Sequence, residues 1–217
     1  MPDSAPGSPL TSGRAYCTIC LRPQRTCLCR WIATVDTDIE VVILQHPLEV
    51  GNAKGSAHLL HLSLKGSRMV VGETFQPAEL QTLLYSDSAA QNRQPLLLYP
   101  ETPEAKSLGL SSPPMIDAIP ADPARLRLIV IDGTWRKSRK ILYQNPLLQQ
   151  LPRLSLPDTT RSRYHIRKAH KPDQVSTLEA TCYALMQLDV SPGKFTALLS
   201  AFDGFIDQHL ALVKAFK

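Results

Sequence analysis

The stretch "LIVIDGTWRKSRKI", residues 128–141, joins an unbroken apolar run to a cluster of basic residues. The run of four apolar side chains indicates a buried strand, and the residues from Thr134 onwards follow a helical pattern. Asp132 stands between the two. It either caps the helix, since Asp is a favoured capping residue, or ends the strand in a ligand site.

The rest of the chain repeats this alternation of apolar strands and helical segments, which is typical of an α/β fold. We therefore expect a mostly parallel sheet with helices on both faces. Neither a G-x-G-x-x-G nor a G-x-x-x-x-G-K-[ST] pattern is present, so a dinucleotide site or P-loop has no support. Strands are expected at residues 39–47, 67–73, 94–100 and 126–132, and helices at 52–64, 76–84, 134–144, 175–190 and 195–216.

The ends of three predicted strands carry polar residues or proline. Because ligands bind beyond the carboxyl ends of the strands in such sheets, we expect a cleft at this edge. The strand ends are Gln45-His46-Pro47, Tyr99-Pro100 and Asp132-Gly133-Thr134-Trp135.

Four of the five cysteines form a C-x2-C-x6-C-x-C pattern at Cys17, Cys20, Cys27 and Cys29. Four thiolates held by tight turns suit the tetrahedral preference of zinc, whereas free or redox-active thiols are the alternative. A zinc ion with four thiolate ligands has no open position for catalysis, so we expect a structural site. Cys182 lies on an apolar helical face and is expected to be a core residue.

The formal net charge of +5 is unevenly distributed. Residues 136–171 contain ten Lys or Arg against the single acid Asp158, so they carry +9 and the remainder carries −4. This asymmetry favours a polyanionic partner such as nucleic acid, with an ordinary solvated surface as the alternative.

The 217 residues are 43% hydrophobic, which is enough for one good-sized domain, or for one domain with a small appendage. No run approaches the roughly 20 apolar residues of a membrane-spanning helix. The Pro/Ser/Gly-rich start also lacks the apolar core of a signal peptide. We therefore expect no membrane partner and a cytoplasmic location.

The motifs together resemble those of the DTW-domain family, named for an Asp-x-Thr-Trp motif. They are the cysteine cluster, "HPLEVGNAKGSAHLL", "LLLYP", "DGTW" and "STLEA". The resemblance implies a tRNA-uridine aminocarboxypropyltransferase that uses S-adenosylmethionine, related to the SPOUT methyltransferases with their C-terminal trefoil knot. The domains expected are a disordered tail at residues 1–14, a four-cysteine zinc knuckle at 15–36 and a DTW (SPOUT-like) catalytic domain at 37–217.

The resemblance assigns a shared role to residues that otherwise have simpler explanations. Ser176 and Glu179 match a capping box, and Trp135 matches a core anchor. In the family reading they form a knot that binds S-adenosylmethionine, and Asp132 takes the proton of the uridine N3, with Thr134 and Trp135 completing the catalytic group. The cofactor-binding residues implied are Leu98, Tyr99, Pro100, Asp132, Gly133, Thr134, Trp135, Ser176, Thr177, Leu178 and Glu179.

RNA contact is expected from the basic helix and from a basic loop further along the chain. The resemblance implies that the tRNA target is a uridine, typically in the variable loop. Two alternatives stay open, namely a knotted RNA methyltransferase and a non-catalytic zinc-knuckle RNA-binding module, and the sequence leaves the oligomeric state open. The predicted RNA-binding residues are Arg136, Lys137, Arg139, Lys140, Arg161, Arg163, Tyr164, Arg167 and Lys168.

Overall fold

The computed structural model describes residues 15–52, 54–85, 92–100, 114, 119–156 and 175–215. Within these residues the strands are β1 Glu40–Gln45, β2 Arg68–Val71, β3 Gln94–Leu98, β4 Leu126–Asp132 and β5 Arg153–Leu154. They form one sheet in the order β2-β1-β4-β3-β5, and each neighbouring pair is parallel. The predicted α/β class and parallel sheet are confirmed.

Within the described residues, one α-helix follows each of β1 and β2, and two α-helices follow each of β4 and β5. Their bounds are α1 Ser56–Ser63, α2 Pro77–Tyr85, α3 Trp135–Gln144, α4 Pro146–Gln149, α5 Thr177–Leu188 and α6 Thr196–Ala215.

Strand β4 lies at the centre of the sheet, and all seven of its residues are buried. Its one long polar side chain, Arg127, forms an ion pair of 2.6 Å with Glu40 on β1, which keeps the buried guanidinium satisfied. At the other end of the same strand pair, Gln45 lies directly opposite Asp132. The register therefore brings two polar side chains together at the carboxyl edge.

Helices cover both faces of the sheet. Successive side chains of a strand point to opposite faces, so each strand contributes to two cores. Val41 and Ile43 of β1 belong to a core that includes residues of α1, α5 and α6. Val42 and Leu44 belong to a second core with residues of α2, α3 and α4.

Helix α1 begins at Ser56, not near Asn52 as the sequence predicts. The Asn52 side chain accepts a hydrogen bond from the Lys54 backbone N–H at 3.0 Å, and the Asn52 carbonyl accepts one from Gly55 at 2.9 Å. These bonds fold the chain into turns, and Gly51 adopts a φ of 75° that favours glycine. The loop from β1 to α1 is therefore longer than the sequence indicates.

The SPOUT-like trefoil knot stays a prediction. Residues 101–113 and 157–174, which lead out of β3 and β5, lie outside the described residues, and so does the tail at 1–14.

The cysteine-rich segment packs against α6 and α1. Cys20 and Leu28 are buried in the same core as Val41 and Ile43 of β1. The Trp31 indole N–H donates to the Gln208 side chain of α6, which in turn donates to the Cys27 carbonyl at 3.3 Å. The segment predicted as a zinc knuckle is thus joined to the last helix.

Gly204 on α6 leaves room for the Trp31 ring, because a Cβ at this position would overlap the ring. We expect Gly204→Ala to lower the free energy of unfolding by about 1–3 kcal/mol, since forced overpacking outweighs the helix propensity of alanine. Chemical denaturation measures the change. Gly193→Ala is the matched control, because its added Cβ meets nothing within 4 Å. Equal stability of the two variants would show that Trp31 moves without cost.

Candidate active site

The Asp132 carboxylate is where β1, β4 and α5 meet. Gln45 Nε2 donates to Asp132 Oδ2 at 2.9 Å, and Thr177 Oγ1 donates to Asp132 Oδ1 at 2.7 Å. The His46 backbone N–H donates to the Asp132 carbonyl at 3.0 Å. Asp132 is 6% exposed. The side chain is therefore fixed in orientation at the carboxyl edge of the sheet.

The alternative that Asp132 caps the following helix is wrong. Helix α3 has Thr134 as its N-cap residue, and the Thr134 carbonyl accepts from the Ser138 N–H at 2.8 Å. Asp132 is the last residue of β4, and its carboxylate is bonded to Gln45 and Thr177 instead of to the start of α3. Its buried carboxylate needs another explanation than helix capping.

Burial raises the pKa of Asp132 above its usual range, although the hydrogen bonds from Thr177 and Gln45 act in the opposite direction. The charge of Glu49 also raises this pKa and that of Lys137 lowers it. A buried carboxylate with a raised pKa, at the ligand-binding edge of a parallel sheet, has the properties of a general base.

Trp135 and Tyr99 form an aromatic pair at the carboxyl edge of the sheet. Their ring centroids lie 5.9 Å apart in an edge-to-face arrangement. Tyr99 is buried, whereas Trp135 is 43% exposed, so the prediction of Trp135 as a core anchor is wrong. Leu98 and Pro100, which flank Tyr99, are half-buried at the same edge. An exposed indole at this edge offers its face to a ligand.

The capping box at the start of α5 is confirmed. Ser176 Oγ accepts from the Glu179 N–H at 3.3 Å, and Glu179 Oε2 accepts from the Ser176 N–H at 3.1 Å. Leu178 is fully buried, and its backbone N–H donates to Ser56 Oγ at 3.4 Å. The box fixes the first turn of α5, and Thr177 in that turn reaches Asp132.

Gly133 follows Asp132 where the chain passes close to α3 and to the loop after β1. A Cβ at this position would lie 3.0 Å from the Lys137 Cβ and 3.6 Å from the His46 Cβ. A larger residue would push Lys137 away, so glycine keeps α3 close to the end of β4.

Among the residues predicted to bind RNA on α3, Lys137 and Lys140 form ion pairs with acids. Lys137 Nζ lies 2.7 Å from Glu49 Oε1, and Lys140 Nζ lies 2.8 Å from Glu73 Oε1. Arg136 and Arg139 are exposed. The remaining predicted RNA-binding residues, Arg161, Arg163, Tyr164, Arg167 and Lys168, lie outside the described residues.

The four cysteines of the predicted zinc site come together. The sulfurs of Cys17 and Cys29 are 3.5 Å apart, those of Cys20 and Cys27 are 3.7 Å apart, and all four lie within 4.8 Å of one another. A tetrahedral zinc ion with Zn–S bonds of about 2.3 Å needs sulfurs about 3.8 Å apart, and the Cys17–Cys29 and Cys20–Cys27 separations are close to this value.

The thiols of this cluster differ in acidity. Backbone N–H groups of Cys20 and Ile19 lower the pKa of Cys17 to about 6, whereas burial raises that of Cys29 to about 12. Cysteine binds a metal ion as the thiolate, so binding of a cation would deprotonate all four thiols.

A family model described as the DTW domain matches residues 14–210, which is most of the chain. The chain belongs to the DTW-domain family. The match includes the cysteine cluster, the Asp132 site and most of α6, so the resemblance inferred from the motifs is confirmed.

Several relatives of this DTW-domain chain are named tRNA-uridine aminocarboxypropyltransferase 2. The Mus musculus protein is 31% identical over 185 residues, which is 81% of this chain and 57% of the relative. The Drosophila melanogaster protein is 30% identical over 187 residues, or 82% of this chain and 68% of the relative. The chain thus spans little more than half the length of the mouse relative. No solved structure matches the chain.

Sequence reasoning missed Glu49 and Glu73 as residues beside the site of this DTW domain. Glu49 is buried and bonded to a lysine 88 positions later. Glu73 accepts from His46 Nε2 at 2.7 Å, while His46 Nδ1 accepts from the Leu48 N–H at 3.1 Å. The two bonds fix the tautomer with the proton on Nε2. The strand end "QHP" was a visible signal for this region, but nothing local identified the acids.

No helix within the described residues of this DTW domain combines the length and apolar character that crossing a membrane requires.

Proposed function

We propose that the chain is an S-adenosylmethionine-dependent tRNA-uridine aminocarboxypropyltransferase that acts in the cytoplasm on N3 of a uridine in the variable loop. The main support is its DTW domain, shared with relatives of that name over about four-fifths of the chain. The Asp132 site adds support, because a buried carboxylate and an exposed indole lie three residues apart at the carboxyl end of β4, the edge where ligands bind in parallel α/β sheets.

The residues at this edge suit S-adenosylmethionine. The exposed Trp135 indole can attract a sulfonium cation and shield it from water. The hydroxyls of Thr134, Ser176 and Thr177 are candidates for the ribose or amino acid portion. We propose that backbone groups of Leu98, Tyr99 and Pro100 contact the adenine. We also propose that this segment, the Asp132–Trp135 turn and the loop entering the Ser176 helix form a trefoil knot of the SPOUT type.

Asp132 is proposed to take the N3 proton of the uridine. When bound, S-adenosylmethionine supplies an electrophilic γ-carbon: the N3–C bond forms, the C–S bond breaks, and its electron pair stays on sulfur in methylthioadenosine. Oxygens Oδ1 and Oδ2 each accept one hydrogen bond and have capacity for another partner. The bonds from Gln45 and Thr177 therefore orient the base without using up its accepting capacity.

Nucleoside analysis of tRNA incubated with the full chain and S-adenosylmethionine tests the proposal. The expected products are an aminocarboxypropyl uridine and methylthioadenosine. A methylated nucleoside with S-adenosylhomocysteine would instead identify a methyltransferase. Calorimetry showing tRNA binding without S-adenosylmethionine binding would identify a non-catalytic RNA-binding module.

The tRNA is proposed to contact the exposed basic face of α3 and the basic loop that follows β5. We expect Arg136→Glu to weaken tRNA binding and to reduce the slope of log affinity against log salt by about one, since one phosphate contact is lost. Filter binding across a salt series measures both. Lys65→Glu is the matched control, because Lys65 lies before β2 at the amino edge of the sheet. If the two reversals have equal effects, the α3 face is not part of the RNA site.

The four-cysteine cluster is proposed to hold one structural zinc ion, for which its sulfur spacing is suited.

A further inference from the structure

A second charged group lies beside Asp132 and has no role in the reaction described so far. Lys137 Nζ donates to Glu49 Oε1 at 2.7 Å, and Asn52 Nδ2 donates to Glu49 Oε2 at 2.8 Å. Glu49 ends a short turn, Pro47–Glu49, that follows β1. Lys137 lies in the first turn of α3. The pair therefore bridges the two chain segments that leave the central strands.

Backbone hydrogen bonds through His46 connect the Glu49–Lys137 pair to Asp132. The Glu49 N–H donates to the His46 carbonyl at 2.8 Å, and the His46 N–H donates to the Asp132 carbonyl at 3.0 Å. Both charges act on Asp132, because Glu49 raises its pKa and Lys137 lowers it. A Cβ on Gly133, the residue after Asp132, would lie 3.0 Å from the Lys137 Cβ, so the ion pair lies close to the end of β4 that carries the proposed base.

The pair differs from an ordinary surface ion pair in its burial. The side chains of Lys137 and Glu49 are 25% and 10% exposed, whereas Lys140, in a similar pair with Glu73 one turn further along α3, is 53% exposed. Burial alone would raise the pKa of Glu49, but the hydrogen bonds from Lys137 and Asn52 lower it, so the carboxylate stays ionised. Buried charges are costly, and such pairs are weak evidence for a stabilising role.

Both groups have unused hydrogen-bonding capacity. An ammonium group has three donors and Lys137 uses one for Glu49, while a carboxylate accepts about four hydrogen bonds and Glu49 accepts two. A ligand with one ammonium and one carboxylate group matches this arrangement without breaking the pair.

We propose that Glu49 binds the ammonium group, and Lys137 the carboxylate group, of the aminocarboxypropyl chain of S-adenosylmethionine. This inference rests on the proposed function. Of the groups on the sulfonium that could be transferred, the methyl group has no charge, and the aminocarboxypropyl chain carries both charges. Holding those charges near Asp132 directs the γ-carbon toward the uridine N3 whose proton Asp132 is proposed to take. Glu49 and Lys137 would thereby determine which carbon is transferred. Lys137, expected from the sequence to bind RNA, then contacts the cofactor.

Calorimetry with two probes tests the inference. S-adenosylmethionine contains the charged chain and methylthioadenosine lacks it. We expect Lys137→Met and Glu49→Gln each to weaken S-adenosylmethionine binding about 10- to 100-fold, the effect of one charge-assisted hydrogen bond, and to leave methylthioadenosine binding within about twofold of wild type. Lys140→Met is the matched control on the same helix, and its affinities for both probes should be unchanged.

The outcomes separate this inference from the proposed function. If both variants bind S-adenosylmethionine like the wild type, or lose both probes equally, the pair does not contact the charged chain and the inference is wrong. Neither result affects the proposed function, which stands if the wild type forms aminocarboxypropyl uridine. A folded wild type that binds no S-adenosylmethionine would overturn both. Thermal melting of each variant shows whether it is folded.

Discussion

Asp132→Asn is expected to lower the rate of aminocarboxypropyl transfer by about 10²- to 10⁴-fold, because the proposed proton acceptor is lost. Affinities for S-adenosylmethionine and tRNA are expected to stay close to wild type, since the shape of the side chain is preserved. Single-turnover kinetics with saturating tRNA measure the rate. Calorimetry measures cofactor binding separately.

The hydrogen bonds around residue 132 tolerate this substitution. The Asn oxygen can accept from Gln45 Nε2, and the Asn amide can donate to Thr177 Oγ1, which reverses its role from donor to acceptor. A loss of activity would therefore not be a consequence of misfolding. Thr177→Val is the matched control, because it removes one donor to Asp132 but keeps the carboxylate. We expect it to have a smaller effect on the rate.

The stability of Asp132→Asn gives a second, independent result. Folding raises the pKa of Asp132, so the folded state disfavours the ionised form. The cost appears as the pH rises through the unfolded pKa and is fully present above the folded pKa. The Asn variant avoids it and should melt at or above the temperature of the wild type at pH 7. This advantage should vanish in acid, where Asp132 is protonated.

The same raised pKa sets the sign of the pH–rate profile. The rate of the wild type should rise with pH as Asp132 ionises, with its midpoint above the usual range of a carboxyl group. Near-wild-type turnover of Asp132→Asn with normal binding of both substrates would refute the base role and leave Asp132 as a positioning residue.

The sequence predicted the features of the fold that are encoded locally. The run at Leu126–Asp132 is apolar and long enough to be recognised, and a parallel sheet brings its carboxyl end beside that of Glu40–Gln45. The Ser176 capping box is likewise encoded within four residues. These short-range patterns were enough to predict which edge of the sheet carries the polar strand ends and where the Ser176 helix begins.

Features that depend on contacts between distant residues could not be predicted in this way. Strand β5 has two residues and no apolar run, so it exists only through its pairing with β3. The Glu49–Lys137 pair joins the loop after β1 to α3, and neither residue is distinctive within its own segment. The Asp132–Thr177 hydrogen bond joins residues 45 positions apart. The sequence around Asp132 therefore could not show that its carboxylate bonds to Thr177 instead of capping α3.

Cys20→Ser is expected to abolish zinc binding and to unfold the segment around residues 15–36. Cys20 is the buried member of the cluster, and a structural zinc site supplies folding free energy directly. Elemental analysis should give one zinc per wild-type chain and about none for the variant. The melting temperature should fall by about 10 °C or more, because loss of the metal removes several kcal/mol.

Trp31 provides a local probe of this unfolding, since the chain has two tryptophans. In a Trp135→Phe background, removal of zinc should shift the Trp31 emission to longer wavelength, because the indole loses its packing against α6 and its bond to Gln208. Cys182→Ala is the control, since Cys182 lies in the core outside the cluster. Unchanged zinc-free emission and melting would mean that the segment folds without metal.

Zinc loss should also weaken S-adenosylmethionine binding, although the cluster is closed to ligands. Arg22 in the cysteine-rich segment donates to the Asn52 carbonyl at 2.8 Å, and the Asn52 side chain donates to Glu49. The loop that contains Glu49 and Asn52 is thus bonded to the cysteine-rich segment through Arg22. When that segment unfolds, Asn52 loses its anchor and Glu49 loses part of its orientation. Because Glu49 is proposed to bind the ammonium group, affinity for S-adenosylmethionine should fall more than affinity for methylthioadenosine, and equal losses would contradict this coupling.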